Sequence, residues 1–214
     1  SLAAESSEAH LVALRAQINP HFLFNALNTL LSLIGEKPKE AEAVVEHLAA
    51  IFRHTLHAGS KAFVSLESEM TLVQCYLAIE KARFGDRLTV NIEWDDSLRS
   101  HPVPAFTIQT LVENSIKHGL EKKREAGILT IKMTRTDDHH AILTIQDTGN
   151  GIPALFGRKG PASEIHDFFG IGLSNVYERL RQLFAREDLL RFSSDPETGT
   201  TVEVVLPASR TPSS

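Results

Sequence analysis

The sequence predicts an α+β protein. A helical hairpin comes first, suited to pair with a second copy as a dimeric four-helix bundle, and a layered α+β domain follows. Three observations carry this. Up to about residue 57 the apolar residues recur at helical spacing. Beyond Gly59 the pattern changes to short alternating runs set between helices. A glycine-rich segment, Asp147 to Gly172, interrupts those runs directly after a strand-like stretch. The expected organisation is a hairpin over residues 1–60, an α+β domain over 61–207 and a disordered tail over 208–214.

Composition narrows the class. Of 214 residues, 42% are hydrophobic and 23% charged, ordinary values for a globular chain. Net charge is -5 with no basic run, which disfavours direct nucleic-acid binding. Cys75 is the only cysteine, so no internal disulfide forms and a reducing compartment fits. No run approaches the ~18 apolar residues of a membrane span. The chain opens on Ser1, which reads as a fragment on the cytoplasmic face of a longer protein whose missing N-terminal portion would hold any membrane anchor.

The first helix is expected from about Ser7 to Ile34. It carries two offset stripes: Leu11, Leu14, Ile18 and Phe22, then Leu23, Leu27, Leu30, Leu31 and Ile34. Two stripes need two partners, one the next helix and one a second copy of the chain. Pro20 within this pattern predicts a kink that sets off His21. Gly35 reads as a stop and Pro38 as the first turn of a second helix reaching His57, with Ala41, Val44, Val45, Leu48, Ile51, Phe52 and Thr55 inward. Phe63–Ser65 reads as a short strand, Leu66 to Phe84 as a helix, and Leu88 to Trp94 as a strand turned by Asp95-Asp96-Ser97. Pro102 and Pro104 introduce a helix from Ala105 to His118, closed by Gly119. Two hairpins follow, 128–134 with 141–146 and 189–193 with 201–206, separated by a helix ending at Phe184. The domain is thus a layer of about five strands and three helices.

Four clusters carry chemistry. On the helix 105–118, Asn114 offers an amide oxygen suited to Mg²⁺, with Lys117 and His118 about one turn on, where phosphate oxygens would lie. In Asp147-Thr148-Gly149-Asn150-Gly151 the carboxylate would accept an exocyclic amine of adenine, and Gly149 and Gly151 permit close approach. Gly170-Ile171-Gly172-Leu173 opens a helix whose free N–H groups form an anion site. Gly199-Thr200 enters the last strand, where the Thr200 hydroxyl would reach the adenine edge, directly or through water. Each cluster alone is weak; all four in this order and context are specific.

Together they resemble the ATP-binding domain shared by histidine kinases, gyrase-type ATPases, Hsp90 and MutL, over about Phe63 to Pro207. That resemblance implies a two-layer α/β sandwich. Gln17-Ile18-Asn19-Pro20-His21-Phe22-Leu23-Phe24-Asn25 resembles the phosphoacceptor motif of the LytS-type sensor histidine kinases. Tyr76 to Phe84, Leu111 to Gly119 and Gly199-Thr200 are also similar to that family. The resemblance implies autophosphorylation of His21 from Mg-ATP and passage of the phosphoryl group to an aspartate of a response regulator, one with a LytTR-type DNA-binding domain. It places ATP on Asn114, Lys117, His118, Asp147, Gly149, Gly151, Gly170, Gly172, Leu173 and Thr200, and Mg²⁺ on Asn114. Asn25, at i+4 from His21, would help water remove phosphate from the regulator. A free imidazole, with a pKa near ~6.5, is mostly neutral in cytosol and keeps a lone pair for attack.

The chain departs from the wider pattern at three places. Phe22 stands where most histidine kinases have an acid, and Glu113 is a weak substitute as base. Thr110 stands where gyrase-type ATPases have the water-activating glutamate. Gln109-Thr110 replaces a frequent Gln-Pro. Other features have plainer readings. His54 and His57 read as a polar helix face, Tyr76, Phe84 and Cys75 as packing, His139 and His140 as an exposed turn. Leu155 to Phe169 reads as a lid over ATP. Two alternatives stand beside the kinase: a gyrase- or Hsp90-type clamp ATPase, and a nucleotide-binding scaffold that transfers nothing.

Overall fold

The structure, a computed structural model, describes residues 20–58, 61–136, 140–157, 159–164 and 170–207. Leu11, Leu14 and Ile18 of the first stripe, Gly59-Ser60, His139 and the tail 208–214 lie outside these residues, as do the side chain of His57 and most of the final part of the expected lid. The chain divides into two compact units. The first comprises residues up to Lys61 together with Gln74–Gly85; the second comprises Ala62–Val73 and the residues from Asp86 onward.

In the first unit, α1 (Pro20–Glu36) and α2 (Pro38–Ala58) pack on each other. Pro20 is the first described helical residue, and the chain before it, needed to judge a kink, lies outside the described residues. Gly35, expected to stop α1, lies inside it. The break falls at Lys37, because proline disfavours helical backbone in the residue before it. Phe22, Ala26, Thr29 and Leu33 are buried at helical spacing. The second stripe faces out: Leu31 is 69% exposed and Ile34 55%, and Phe24, at 65%, extends it. On α2, Ala41, Val44, Leu48, Ile51 and Thr55 are buried, whereas Val45 is exposed.

A third helix, α3 (Leu66–Phe84), was not expected in this unit, yet its second half belongs there. Tyr76, Leu77, Ile79 and Glu80 are buried, and the Phe22 and Tyr76 rings meet with centroids 4.8 Å apart. Arg83 donates to Glu80 from Nε at 2.8 Å and from Nη2 at 2.6 Å, and lies over the Phe84 ring. Its first half buries Leu66, Glu69, Met70, Leu72 and Val73 in the second unit. The buried Leu66, Glu69, Met70, Val73, Tyr76, Leu77 and Glu80 form one stripe through both halves, and two of them are glutamates, which is why the sequence reads only weakly as amphipathic.

The second unit is built on a six-stranded sheet. Its strands are β2 (Leu88–Trp94), β4 (Gly127–Arg135), β5 (Ala141–Asp147), β6 (Lys159–Pro161), β7 (Leu190–Asp195) and β8 (Gly199–Leu206), in the order β2-β4-β5-β8-β7-β6. Only β2 and β4 pair in parallel; the other neighbours are antiparallel. A two-stranded sheet joins β1 (Phe63–Ser65) to β3 (Pro102–Pro104). The expectation of about five strands therefore falls short. Pro102 and Pro104 form β3 rather than lead a helix, and Lys159–Pro161, read as lid, is an edge strand with Leu155 and Ala162 buried beside it. Strand burial alternates strictly, as in Gly127–Met133 and Ala141–Asp147, so one face carries the core.

Two helices follow the prolines and the glycine-rich segment. The first, α4 (Thr107–Asn114), is shorter than expected and widens into a π turn, Ser115–Leu120. Gly119 lies within that turn and does not close the helix. The second, α5 (Ile171–Phe184), ends at Ala185, which is left-handed at φ 53°. A Cβ in that region costs roughly 1–2 kcal/mol that glycine avoids. Ala185→Gly is expected to raise stability by about 1 kcal/mol, read as a higher urea midpoint with unchanged slope.

Among the described residues no helix is long and apolar enough to cross a membrane. Cys75 is half-buried, and burial raises its thiol pKa. His140 is half-buried and not a fully exposed turn residue, because Thr136 accepts from its N–H at 3.2 Å.

Candidate functional site

The second unit contains a cleft of about 240 Å³ between α4, its π turn, the end of β5 and the start of α5. That is close to the lower bound of ordinary small-molecule sites. Leu111, Ile152, Leu173, Phe192 and Val202 form apolar walls. Asp147, Thr200, Asn114 and His118 supply the polar groups.

Asp147 ends β5 and is only 2% exposed. Burial is the main cause raising its carboxyl pKa to about 6. The Gly149 N–H at 2.9 Å, the Ser115 hydroxyl and the Thr200 backbone N–H pull the other way. A carboxylate held by three donors on an apolar wall is a fixed acceptor for one more N–H. Thr200 Oγ1 lies 3.3 Å from Ser194 Oγ, which accepts from the Ile152 N–H at 2.7 Å.

The glycines have distinct reasons. A Cβ on Gly119 would lie 2.4 Å from Asp147 Oδ1, and one on Gly149 would lie 2.4 Å from Gly119 Cα. The π turn therefore passes directly over the Asp147 motif. Gly199, at φ 86°, would place a Cβ 2.0 Å from the Asp147 carbonyl. Gly151 is left-handed at φ 67° and hemmed by Phe156, Ser194 and Asp195. A Cβ on Gly172 would meet Asn114 Nδ2 at 2.9 Å. Gly170 alone among the cleft glycines meets nothing within 4 Å and has an ordinary φ of -72°. It opens α5, whose first N–H groups lack helical partners and favour anions.

Asn114 Nδ2 donates to the Thr110 carbonyl at 2.8 Å, which turns Oδ1 away as an available oxygen ligand. One amide oxygen suits Mg²⁺, which keeps several waters and is completed by phosphates. Among the described residues no cluster of three or more His, Cys, Asp or Glu side chains forms a dedicated metal site. His118 is exposed at the cleft rim, and burial of its ring with Lys117 and Lys122 nearby holds its pKa below the ordinary value. Lys117 is exposed and outside the cleft wall, whereas Lys122 lines it. Ser115 and Lys122 were not singled out from the sequence. Ser115 follows Asn114 directly, but only the π turn shows that its hydroxyl reaches Asp147.

In the first unit His21 is exposed on α1, and Asn25 Nδ2 lies 3.3 Å from its Nδ1. Phe22, where an acid was absent, is 6% exposed and packs on Tyr76.

Two family models match the chain. Residues 9–88 match "Histidine kinase", and residues 105–210 match "Histidine kinase-, DNA gyrase B-, and HSP90-like ATPase". The sensor histidine kinase BtsS of Escherichia coli K12 is 36% identical over 94% of this chain and 34% of its own length. The sensor histidine kinase/phosphatase LytS of Staphylococcus aureus MRSA252 is 33% identical over 95% of this chain and 35% of its own. The chain belongs to the LytS-type sensor histidine kinases. It spans about a third of the length of these relatives. In fold it matches the histidine kinase domain of the blue-light-activated kinase EL346 of Erythrobacter litoralis, with TM-score 0.52, 20% identity and 94% of each chain covered.

For a LytS-type kinase, two departures now have physical accounts. Thr110 Oγ1 donates to the Phe106 carbonyl at 2.6 Å, and the Thr110 N–H bonds the same oxygen at 3.1 Å. Thr110 thus closes the first helical turn with a donor that proline lacks, and its hydroxyl is committed to the backbone. Glu113 accepts from Gln109 Nε2 at 2.7 Å and does not line the cleft.

Proposed function

We propose that this chain is the catalytic portion of a two-component sensor kinase, with residues 1–60 as the dimerisation and phosphoacceptor hairpin and 61–207 as the ATP-binding domain. The observation that carries the reading is the buried Asp147 carboxylate, held by three donors at one end of an apolar cleft with the Gly170 helix start at the other. Asp147 accepts the adenine amine, and Thr200 reaches the same edge, while the apolar walls take the ring. The α5 N-terminus, with Lys117, His118 and Lys122, receives the phosphates. Asn114 Oδ1 would hold Mg²⁺, which neutralises charge on the transferring phosphoryl group. A His21 ring nitrogen forms a bond to the γ-phosphorus, the bond from phosphorus to the β,γ-bridging oxygen breaks, and its electron pair leaves on ADP. The N–P bond is later exchanged for an O–P bond on a receiver-domain aspartate. The outward stripe Phe24, Leu27, Leu31 and Ile34 fits a second copy, giving a homodimeric four-helix bundle. A regulator with a LytTR-type DNA-binding domain, and anchoring of the full protein in the bacterial inner membrane, complete the reading.

The test incubates the chain with γ-labelled Mg-ATP. The expected label is acid-labile and alkali-stable, and His21→Gln abolishes it. An undiminished label in His21→Gln sinks the reading, and free phosphate without protein labelling points to a clamp ATPase. Asn25→Ala should separate two steps: labelling stays within about threefold, while water-dependent loss of phosphate from the regulator falls about tenfold or more.

A further inference from the structure

We infer that Glu69 is a positioning residue for the metal-bound part of the nucleotide, acting through α4; this rests on the Mg-ATP reading of Asn114. Glu69 is 0% exposed on the first half of α3. Its Oε1 accepts the Phe106 N–H at 2.6 Å and its Oε2 the Ile108 N–H at 3.1 Å, with the Gln109 N–H also directed at the carboxylate. Phe106 is the residue before α4, held left-handed at φ 62° with no cap from its own side chain. The carboxylate therefore supplies from another helix the cap that α4 lacks. From α5, the Arg179 guanidinium donates to the Ala105 carbonyl, so the same turn is gripped from the helix that begins at Gly170-Ile171-Gly172.

This grip fixes more than helix stability. Asn114 is the last residue of α4, and its amide sits so close to Gly172 that a Cβ there would lie 2.9 Å away. A slip of α4 by one residue moves its end by ~1.5 Å and rotates it by ~100°. Such a slip takes Asn114 Oδ1 off the position where it would hold Mg²⁺ against the phosphates, while Asp147, on β5, stays in place. Glu69 and Arg179 together set where α4 ends relative to the start of α5. Loss of the grip removes Mg²⁺-dependent affinity and spares the adenine end.

The experiment measures ADP binding by calorimetry, once in EDTA and once in saturating Mg²⁺, on wild type, Glu69→Gln, Arg179→Gln and Leu98→Ala. Leu98 is buried beyond β2, away from the cleft, and its truncation supplies a stability loss of its own. For Glu69→Gln the expected result is metal-free affinity within about twofold of wild type and a Mg²⁺ gain cut about tenfold. Arg179→Gln, at an exposed position on α5, should cut the Mg²⁺ gain about threefold even if Glu69→Gln does not fold. An unchanged Mg²⁺ gain in the variants that fold, or the same loss in Leu98→Ala, overturns the positioning role. A wild type that binds ADP with no Mg²⁺ gain overturns the Asn114 metal reading and this inference with it.

Discussion

Asp147→Asn is expected to weaken ATP binding by at least about a hundredfold, measured by calorimetry at pH 8. The buried carboxylate already accepts from Gly149, Ser115 and Thr200, and its remaining acceptor capacity faces the cleft. An amide in its place presents an N–H to one of those donors or to the adenine amine, and two donors then oppose each other. The same carboxylate gives a signed pH dependence. Its pKa without ligand is raised from 3.8 to about 6, mainly by burial. The adenine amine needs the ionised form, so affinity should fall as pH drops through about 6, approaching tenfold per pH unit below it. For folding the sign is opposite. The native state holds this proton more tightly than the unfolded chain, so the stability it contributes is full below 3.8 and is lost as pH rises through about 6. Asp147→Asn should therefore be no less stable than wild type at pH 8 while failing to bind. A variant that binds ATP normally at pH 8 would refute the assignment of Asp147.

Gly199→Ala is expected to destabilise the second unit by about 3 kcal/mol or more, measured by denaturant unfolding. The residue is left-handed at φ 86°, and the new Cβ would fall 2.0 Å from the Asp147 carbonyl, a backbone atom with nowhere to go. Strain and overlap act together, and the displaced strand is the one carrying Asp147. Gly170→Ala is the matched contrast. Nothing lies within 4 Å of its Cβ and its backbone is ordinary, so its folding should be unchanged within about 0.5 kcal/mol. Loss of ATP affinity in that variant would belong to the ligand's own approach to the helix start.

Much of this was readable from residues alone, because the decisive patterns are local. Strand alternation placed β4, β5, β7 and β8 within a few residues, and residues of all four sequence clusters, though not Lys117, converge on one cleft or on the contacts that shape it. What was not readable depends on partners distant in sequence. Gly35 carries a stop signal, but Pro38 decides where α1 breaks. The Pro102–Pro104 segment favours a helix start locally, and pairing with Phe63–Ser65 makes it a strand. The π turn at Ser115–Leu120 has no local signature; the near-contact of Gly119 with Asp147 accompanies it. Glu69 was not singled out in the sequence, because the Phe106 and Ile108 N–H groups it accepts from lie far along the chain. Phe22 looked like the loss of an acid, and its burial against Tyr76 shows a packing demand at that position.

The order of the main sheet bears on how this protein resists self-association. Among the described residues the sheet ends in β6 on one side and β2 on the other. An uncovered strand edge offers a row of free N–H and C=O groups to any other extended chain. β6 is a poor template, three residues long and ending in Pro161, which has no N–H to offer. β2 is the better one, seven residues long, and its protection is chemical: Thr89, Asn91 and Glu93 face outward as polar or charged groups. Edge-to-edge growth of this unit would begin at β2, and Glu93 is the residue whose neutralisation would most invite it.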